Sequence, residues 1–195
     1  MCESCPKKGK TMSKKKLAVI VPGIGYTCDR SLLYYAGKTA QQKGYDVLRI
    51  SFEGFPKGEK GDPEFIQRCF NEAQRQMTQQ LQEVDWSAYK KVAFIAKSIG
   101  TAAAADYLTE YGIDAKLVLY TPLVETFRFV TKGKAVAFHG TADPWAKTDG
   151  VVGACEALEI PLFLVENANH SLETGDVKTD LKTLKDAIRI VRKYL

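Results

Sequence analysis

Residues 91–108 read KVAFIAKSIGTAAAADYL, and the arrangement of the rest of the chain follows from this stretch. Its first half, Val92-Ala93-Phe94-Ile95-Ala96, is a short uninterrupted apolar run of the kind found in strands buried on both faces. The chain then turns through Lys97-Ser98-Ile99-Gly100 into a helix of small residues, Thr101 to Leu108. A serine at the apex of a sharp strand-to-helix turn is the setting in which G-x-S-x-G presents a nucleophile. Here the five residues are Ala96-Lys97-Ser98-Ile99-Gly100, with alanine in place of the first glycine. Where two backbones pass close together, alanine is the mildest departure from glycine. A serine that opens a helix also serves as an ordinary N-cap, so the meaning of Ser98 depends on what the other strands carry.

Outward from this unit, the pattern repeats. Leu17 to Val21 (LAVIV) predicts a first strand, closed by the turn Pro22-Gly23-Ile24-Gly25-Tyr26 and followed by a helix from about Leu32 to Lys43 that stops at Gly44. Asp46 to Ser51 predicts a second strand, and Phe52 to Gly61 a loop rich in Gly, Pro and Lys. Asp62-Pro63 places a cap and an N1 proline in order at the head of the longest helix. The apolar positions Phe65, Ile66, Cys69, Phe70, Ala73, Met77, Leu81 and Val84 step along it by three or four. After the third strand and its helix come a fourth strand, Lys116 to Tyr120, and a fifth, Lys134 to His139. A helix from Thr148 to Leu158, a sixth strand from Ile160 to Val165 and an amphipathic helix from Asp176 to Tyr194 complete the chain. Apolar strands alternating with helices predict an α/β fold, a three-layer α/β/α sandwich on a six-stranded, mostly parallel sheet. Ligands of such sheets bind beyond the carboxyl ends of the strands, so function is sought in the loops at those ends.

Three strand ends carry chemistry. Ser98 comes after the third, His139-Gly140-Thr141-Ala142-Asp143-Pro144-Trp145 after the fifth, and Glu166-Asn167-Ala168-Asn169-His170-Ser171 after the sixth. With only two histidines in the chain, the choice of base is narrow. His139 ends a buried strand directly before a glycine and reads as a satisfied structural histidine. His170 lies in a polar loop from which an imidazole can reach Ser98. Asp143 is then the acid that holds the other ring nitrogen, with Asp149 in reserve.

The turn V-P-G-I-G-Y, the elbow A-K-S-I-G, H-G-T-A-D-P-W and N-A-N-H-S together resemble a small member of the α/β-hydrolase family, from about Leu17 to Leu195. The order Ser…Asp…His is the family's order. The resemblance implies a serine hydrolase in which Ser98, Asp143 and His170 are catalytic and the N–H groups of Ile24 and Ile99 form the oxyanion hole. Pro22 stands where the family usually has histidine, which leaves the turn's backbone donor in place. The substrate implied is a small acyl ester or thioester, cleaved through an acyl-enzyme with no cofactor and no metal. An acyltransferase with the same triad, or a non-catalytic binding module on the same fold, is the alternative reading. Lys97 beside the nucleophile reads as a solvated lysine, the alternative being a cation that favours anionic substrates. Thr121 to Gly133, where the family inserts its lid, is too short for a helical cap. The site is therefore expected to be open and walled by Tyr26, Leu123, Phe127 and Trp145.

Composition narrows the remaining choices. At 195 residues, 45% hydrophobic and 26% charged, the chain has the makeup of one ordinary globular domain. Residues 1–16 hold six lysines against one acid, Glu3, which accounts for the whole net charge of +5 and leaves 22 of the 28 basic residues facing 22 of the 23 acidic ones. The division expected is a disordered basic tail, 1–16, and a single domain, 17–195, whose neutrality argues against a nucleic-acid partner. No apolar run is long enough for a transmembrane helix, so no membrane partner is expected. Five scattered cysteines point to free thiols and a cytoplasmic location, and Cys2-x-x-Cys5 lacks a second pair to complete a metal site. Two rival motifs are incomplete. The dinucleotide-like Gly23-Ile24-Gly25 has Cys28 at its third glycine position, although Glu53 stands near where a ribose-binding acid would be. Gly37-Lys38-Thr39 lacks the upstream P-loop glycine, having Leu32 there.

Overall fold

The computed structural model describes residues 15–58 and 62–195. The Cys2/Cys5 motif and all of the basic tail except its last two residues lie outside the described part. Lys15 and Lys16 belong to the first strand rather than to a tail, because the sheet's ladder extends to them: Lys15 is paired with Tyr89 and Lys16 with Lys91.

Six strands, β1 (Lys15–Val21), β2 (Asp46–Arg49), β3 (Tyr89–Lys97), β4 (Ala115–Tyr120), β5 (Ala135–Gly140) and β6 (Leu162–Val165), make one sheet in the order β2-β1-β3-β4-β5-β6. Every pairing in it is parallel. Five helices lie against it: α1 (Ser31–Gln42), α2 (Pro63–Leu81), α3 (Ile99–Glu110), α4 (Thr148–Ala157) and α5 (Val177–Tyr194).

The period-two geometry of a strand explains the two-sided core. Leu17, Val19 and Val21 of β1, with Phe94 and Ala96 of β3, face residues of α2, α3 and α4. Ala18 and Ile20, with Ala93 and Ile95, face α1 and α5. Both faces are covered, so these strands read as continuous apolar runs. Phe94, Met77, Ile20 and Ile95 are fully buried, and each such side chain stabilises the fold by roughly 1.5–3 kcal/mol. On α3, Ala102 to Ala105 are at most 1% exposed, and methyl-sized side chains let this helix lie close to the sheet and to α2. The Asp62 side chain accepts the Glu64 N–H at 2.9 Å, capping α2 ahead of Pro63.

The order of the sheet positions the site. The chain runs from β1 outward to β2, then returns to the other side of β1 with β3, so the topological switch point lies between β1 and β3. The turn Pro22–Tyr26 and Ser98 stand at the carboxyl ends of those two strands. Between β4 and β5 the segment 121–133 holds one short 3-10 turn, Val124–Arg128, and no cap domain. Gly37, Lys38 and Thr39 lie within α1, so they form no phosphate loop.

Candidate active site

Ser98 sits in a backbone conformation that L-residues rarely adopt, with φ 55° and ψ −128°. The surroundings hold it there. Its N–H donates to the Tyr120 carbonyl at 3.0 Å, and its carbonyl accepts the Thr101 N–H at 2.9 Å and the Thr101 hydroxyl at 2.6 Å. The Thr101 hydroxyl in turn meets the Thr126 hydroxyl at 2.7 Å, tying the elbow to the 3-10 turn after β4.

Glycines permit the close approach. A Cβ on Gly100 would stand 2.1 Å from the Pro22 carbonyl oxygen, and one on Gly23 would stand 2.9 Å from Ser98 Cβ. The turn Pro22–Tyr26 therefore abuts the serine, closed by reciprocal Gly23/Tyr26 backbone bonds of 3.1 and 3.3 Å. Among the described residues, no acceptor takes the N–H of Ile24 or of Ile99.

The other two side chains arrive from β5 and β6, whose loops touch at Gly140. A Cβ there would lie 2.2 Å from the Ala168 carbonyl oxygen, and Ala142 N–H donates to that same oxygen at 3.0 Å. The Asn169 side chain accepts the N–H groups of Ser171 and Glu173, which shapes the loop that carries His170. Thr121 anchors it from β4 by donating its hydroxyl to the His170 carbonyl at 3.0 Å.

The result is a continuous hydrogen-bonded chain. His170 Nδ1 lies 2.7 Å from Asp143 Oδ2, and His170 Nε2 lies 2.7 Å from Ser98 Oγ. Asp143 has no exposed side-chain surface, and its other oxygen accepts the Trp145 N–H at 2.8 Å. Burial alone would raise its pKa, but the His170 and Trp145 bonds more than offset this and hold the carboxyl below its ordinary range. An ionised carboxylate only accepts, so Nδ1 carries the proton and Nε2 accepts from the Ser98 hydroxyl. The His170 ring, 19% exposed, lies 5.8 Å from the Trp145 ring, centroid to centroid.

Other expectations need correction. Lys97 is not solvated: only 1% of it is exposed. It belongs to the face of β3 turned toward α1, its Nζ lies 5.0 Å from the Tyr26 ring centroid, and burial pushes its amine down to about 7. His139 is buried as expected but is only half satisfied. Its Nε2 meets the Thr148 hydroxyl at 3.3 Å, while Nδ1 has no hydrogen-bond partner and stands 3.8 Å from Asp143 Oδ2. Burial lowers its pKa, which keeps it neutral. The four residues expected as walls of the site divide among three packing clusters. Tyr26 is in the core on the α1/α5 face and Phe127 is in the opposite core, whereas Leu123 and Trp145 pack with Ile99, Phe65 and Cys69. Phe55, Ile66 and Phe70 join that cluster. Phe65 and Cys69 were visible in sequence only as part of the α2 stripe. That stripe divides between this cluster and the main core, where Ala73, Met77 and Leu81 lie. An apolar groove of about 710 Å³ between β6 and α5, lined by Phe138, Phe163 and Ile190, contains none of Ser98, Asp143 and His170. Among the described residues, no group of three or more His, Cys, Asp or Glu is arranged to hold a metal ion. None of the helices among them is long and apolar enough to cross a membrane. Cys28, Cys69 and Cys155 are buried free thiols.

With six parallel strands in this order and a strained serine after β3, the chain aligns with solved α/β hydrolases over nearly its whole length. The fold is that of the α/β-hydrolases. Est1E from Butyrivibrio proteoclasticus, solved with ferulic acid bound, matches with a TM-score of 0.64 at 13% identity, over 95% of this chain and 92% of that one. An α/β serine hydrolase without lid from Xanthomonas campestris matches at 0.61 and 14% identity, over 96% and 86%. An esterase from Pyrococcus furiosus matches at 0.64 and 15% identity, over 94% and 83%. No family model and no curated protein matches the chain. At these identities the likeness of this chain to its neighbours concerns the fold alone.

Proposed function

We propose that this chain is a serine hydrolase that cleaves a small acyl ester or thioester through an acyl-enzyme. The observation that carries the reading is the pair of 2.7 Å contacts linking Ser98, His170 and Asp143. The Ser98 hydroxyl attacks the acyl carbonyl as His170 Nε2 takes its proton. The buried Asp143 carboxylate orients the ring and stabilises the imidazolium. The oxyanion that forms is received by the N–H groups of Ile24 and Ile99, which have no acceptor among the described residues and flank the serine. His170 then protonates the leaving group, whose departure leaves Ser98 acylated. Water, deprotonated by the same nitrogen, attacks the acyl carbon and releases the acid and free serine. The P. furiosus protein adds support as a fold neighbour named an esterase.

A fluorophosphonate probe tests this directly. It is expected to label Ser98 alone, with labelling abolished in Ser98→Ala and His170→Ala. Labelling that persists in folded Ser98→Ala overturns the assignment. An ester and thioester panel, run with water and with added alcohols as acceptors, then separates hydrolysis from acyl transfer.

A further inference from the structure

Thr121 is the first residue beyond β4, and none of it is exposed to solvent. Its φ is 43°, in the left-handed region that glycine favours and that a β-branched residue rarely enters. Pro122 follows it, and a residue before proline is ordinarily extended. Strain of this kind persists only where the surroundings impose it, and it points to a use for the side chain. What threonine supplies at this position, and glycine could not, is a hydroxyl. That hydroxyl donates to the His170 carbonyl at 3.0 Å, while the Thr121 N–H donates to the Phe138 carbonyl of β5 at 2.8 Å.

The residue before Thr121 holds the nucleophile. Tyr120 pairs in register with Lys97, so Thr121 and Ser98 come next along two neighbouring strands. The Tyr120 carbonyl accepts the Ser98 N–H at 3.0 Å. Further along the same segment, the buried Thr126 hydroxyl meets that of Thr101, which donates to the Ser98 carbonyl. On the other side, the chain turns through left-handed conformations before and after His170, at Asn167 with φ 57° and Leu172 with φ 58°. Asn167 N–H donates to the Thr141 hydroxyl at 2.8 Å, and the Ala168 carbonyl accepts from Ala142 N–H at 3.0 Å. Those bonds fasten the loop ahead of the histidine, whereas Thr121 fastens it at His170 itself.

We propose that Thr121 is a positioning residue for the base. Its hydroxyl, presented by a strained backbone, holds the His170 main chain where Nε2 meets Ser98 Oγ at 2.7 Å. This deepens the hydrolase reading and rests on it. Two consecutive residues of one strand end, Tyr120 and Thr121, fix nucleophile and base relative to each other. Without the hydroxyl the loop that carries His170 loses this tie to β4, and the distance from Nε2 to Ser98 is no longer set. Proton transfer depends on that distance, and a misplacement of about 1 Å costs about a hundredfold in rate.

Three variants of the full chain separate positioning from stability. Thr121→Val keeps the β-branched shape and the N–H to Phe138 and removes the hydroxyl. Thr121→Gly removes the same hydroxyl on a residue that suits the backbone, so it serves if the valine variant does not fold. Thr121→Ser keeps the hydroxyl. Labelling of Ser98 by a fluorophosphonate is expected to slow about ten- to a hundredfold in Thr121→Val and Thr121→Gly, and to recover most of that loss in Thr121→Ser. For p-nitrophenyl acetate, kcat should fall with it while KM changes little, because acylation and deacylation both use His170. Urea unfolding gives the stability of each variant, and the labelling rate is expected to follow the hydroxyl and not the stability. A folded Thr121→Val or Thr121→Gly labelled at the wild-type rate overturns the proposal, as does a Thr121→Ser as slow as Thr121→Val.

Histidine Cε1–H NMR signals give a second readout that needs no turnover. The sequence has two histidines, and His139→Asn assigns them by removing one signal. The His170 signal is expected to shift in Thr121→Val and Thr121→Gly and to return in Thr121→Ser, while that of His139 stays in place. An unmoved His170 signal overturns the proposal. Wild-type protein that the fluorophosphonate does not label counts against the hydrolase reading, and the His170 signal then decides the positioning by itself.

Discussion

Gly100 lies so close to Pro22 that a Cβ on the glycine would stand 2.1 Å from the proline carbonyl oxygen. No side-chain rotation relieves a contact of that kind, because both partners are backbone or Cβ atoms. The helix after the serine and the turn after β1 can therefore meet only if residue 100 has no side chain. Gly100→Ala is expected to cost about 2–4 kcal/mol, within the range of large steric effects, and to displace Ser98 and Ile24 from one another. Denaturant unfolding measures the first effect and fluorophosphonate labelling rate the second. A variant of wild-type stability and labelling rate would mean that the elbow and the turn move apart freely.

The histidines should separate by mutation. His170→Ala removes the base that bonds Ser98, and a loss of about a thousandfold or more in kcat is expected with little change in stability. Asp143→Asn leaves the size unchanged but loses the carboxylate, with an expected loss of about 10³- to 10⁴-fold. His139→Ala empties a fully buried site, so unfolding free energy should fall by about 1–3 kcal/mol while kcat drops far less. Equal losses of kcat from the two histidine variants, both folded, would place His139 in the chemistry.

Substrate length should reflect the missing cap. With only the short turn Val124–Arg128 between β4 and β5, the apolar surface near Ser98 is the patch of Ile99, Leu123 and Trp145. Each methylene that the site buries contributes about 0.8 kcal/mol, and an open patch soon stops burying them. Activity on p-nitrophenyl esters is expected to peak at roughly two to six acyl carbons on this reasoning. A rate that continues to climb through decanoate would reveal a long apolar channel.

Lys97 should leave its mark on stability. Burial moves its amine from the ordinary 10.5 to about 7. Between those values the unfolded chain holds a proton that the folded chain does not, so this group's penalty is full below about 7 and fades as pH rises toward 10.5. Lys97→Met removes it. The variant is expected to be more stable near neutral pH by about 1–4 kcal/mol, with the gap to wild type closing at higher pH. Urea titrations at stepped pH measure the gap, and a gap independent of pH would show that the lysine is not the titrating group.

Much of this was legible along the chain because it depends on neighbours in sequence. Two-sided apolar runs announce buried parallel strands, Asp62-Pro63 announces the start of α2, and the loops after β3, β5 and β6 hold Ser98, Asp143 and His170 in that order. Glycines at 23, 100 and 140 were visible as residues, but the contacts that require them were not. What tertiary structure alone decided concerns residues distant in sequence. Lys97 reads as a surface cation because its type is usually solvated. Yet β3 lies between β1 and β4, so its side chain emerges beside Tyr120 and under Tyr26, where water is excluded. The same holds for Phe127 and Leu123, four residues apart, which one 3-10 turn sends into separate clusters. Local pattern encodes which face of an element is apolar. Strand order and the crossing of loops set what that face meets, and they arise from packing the whole chain at once.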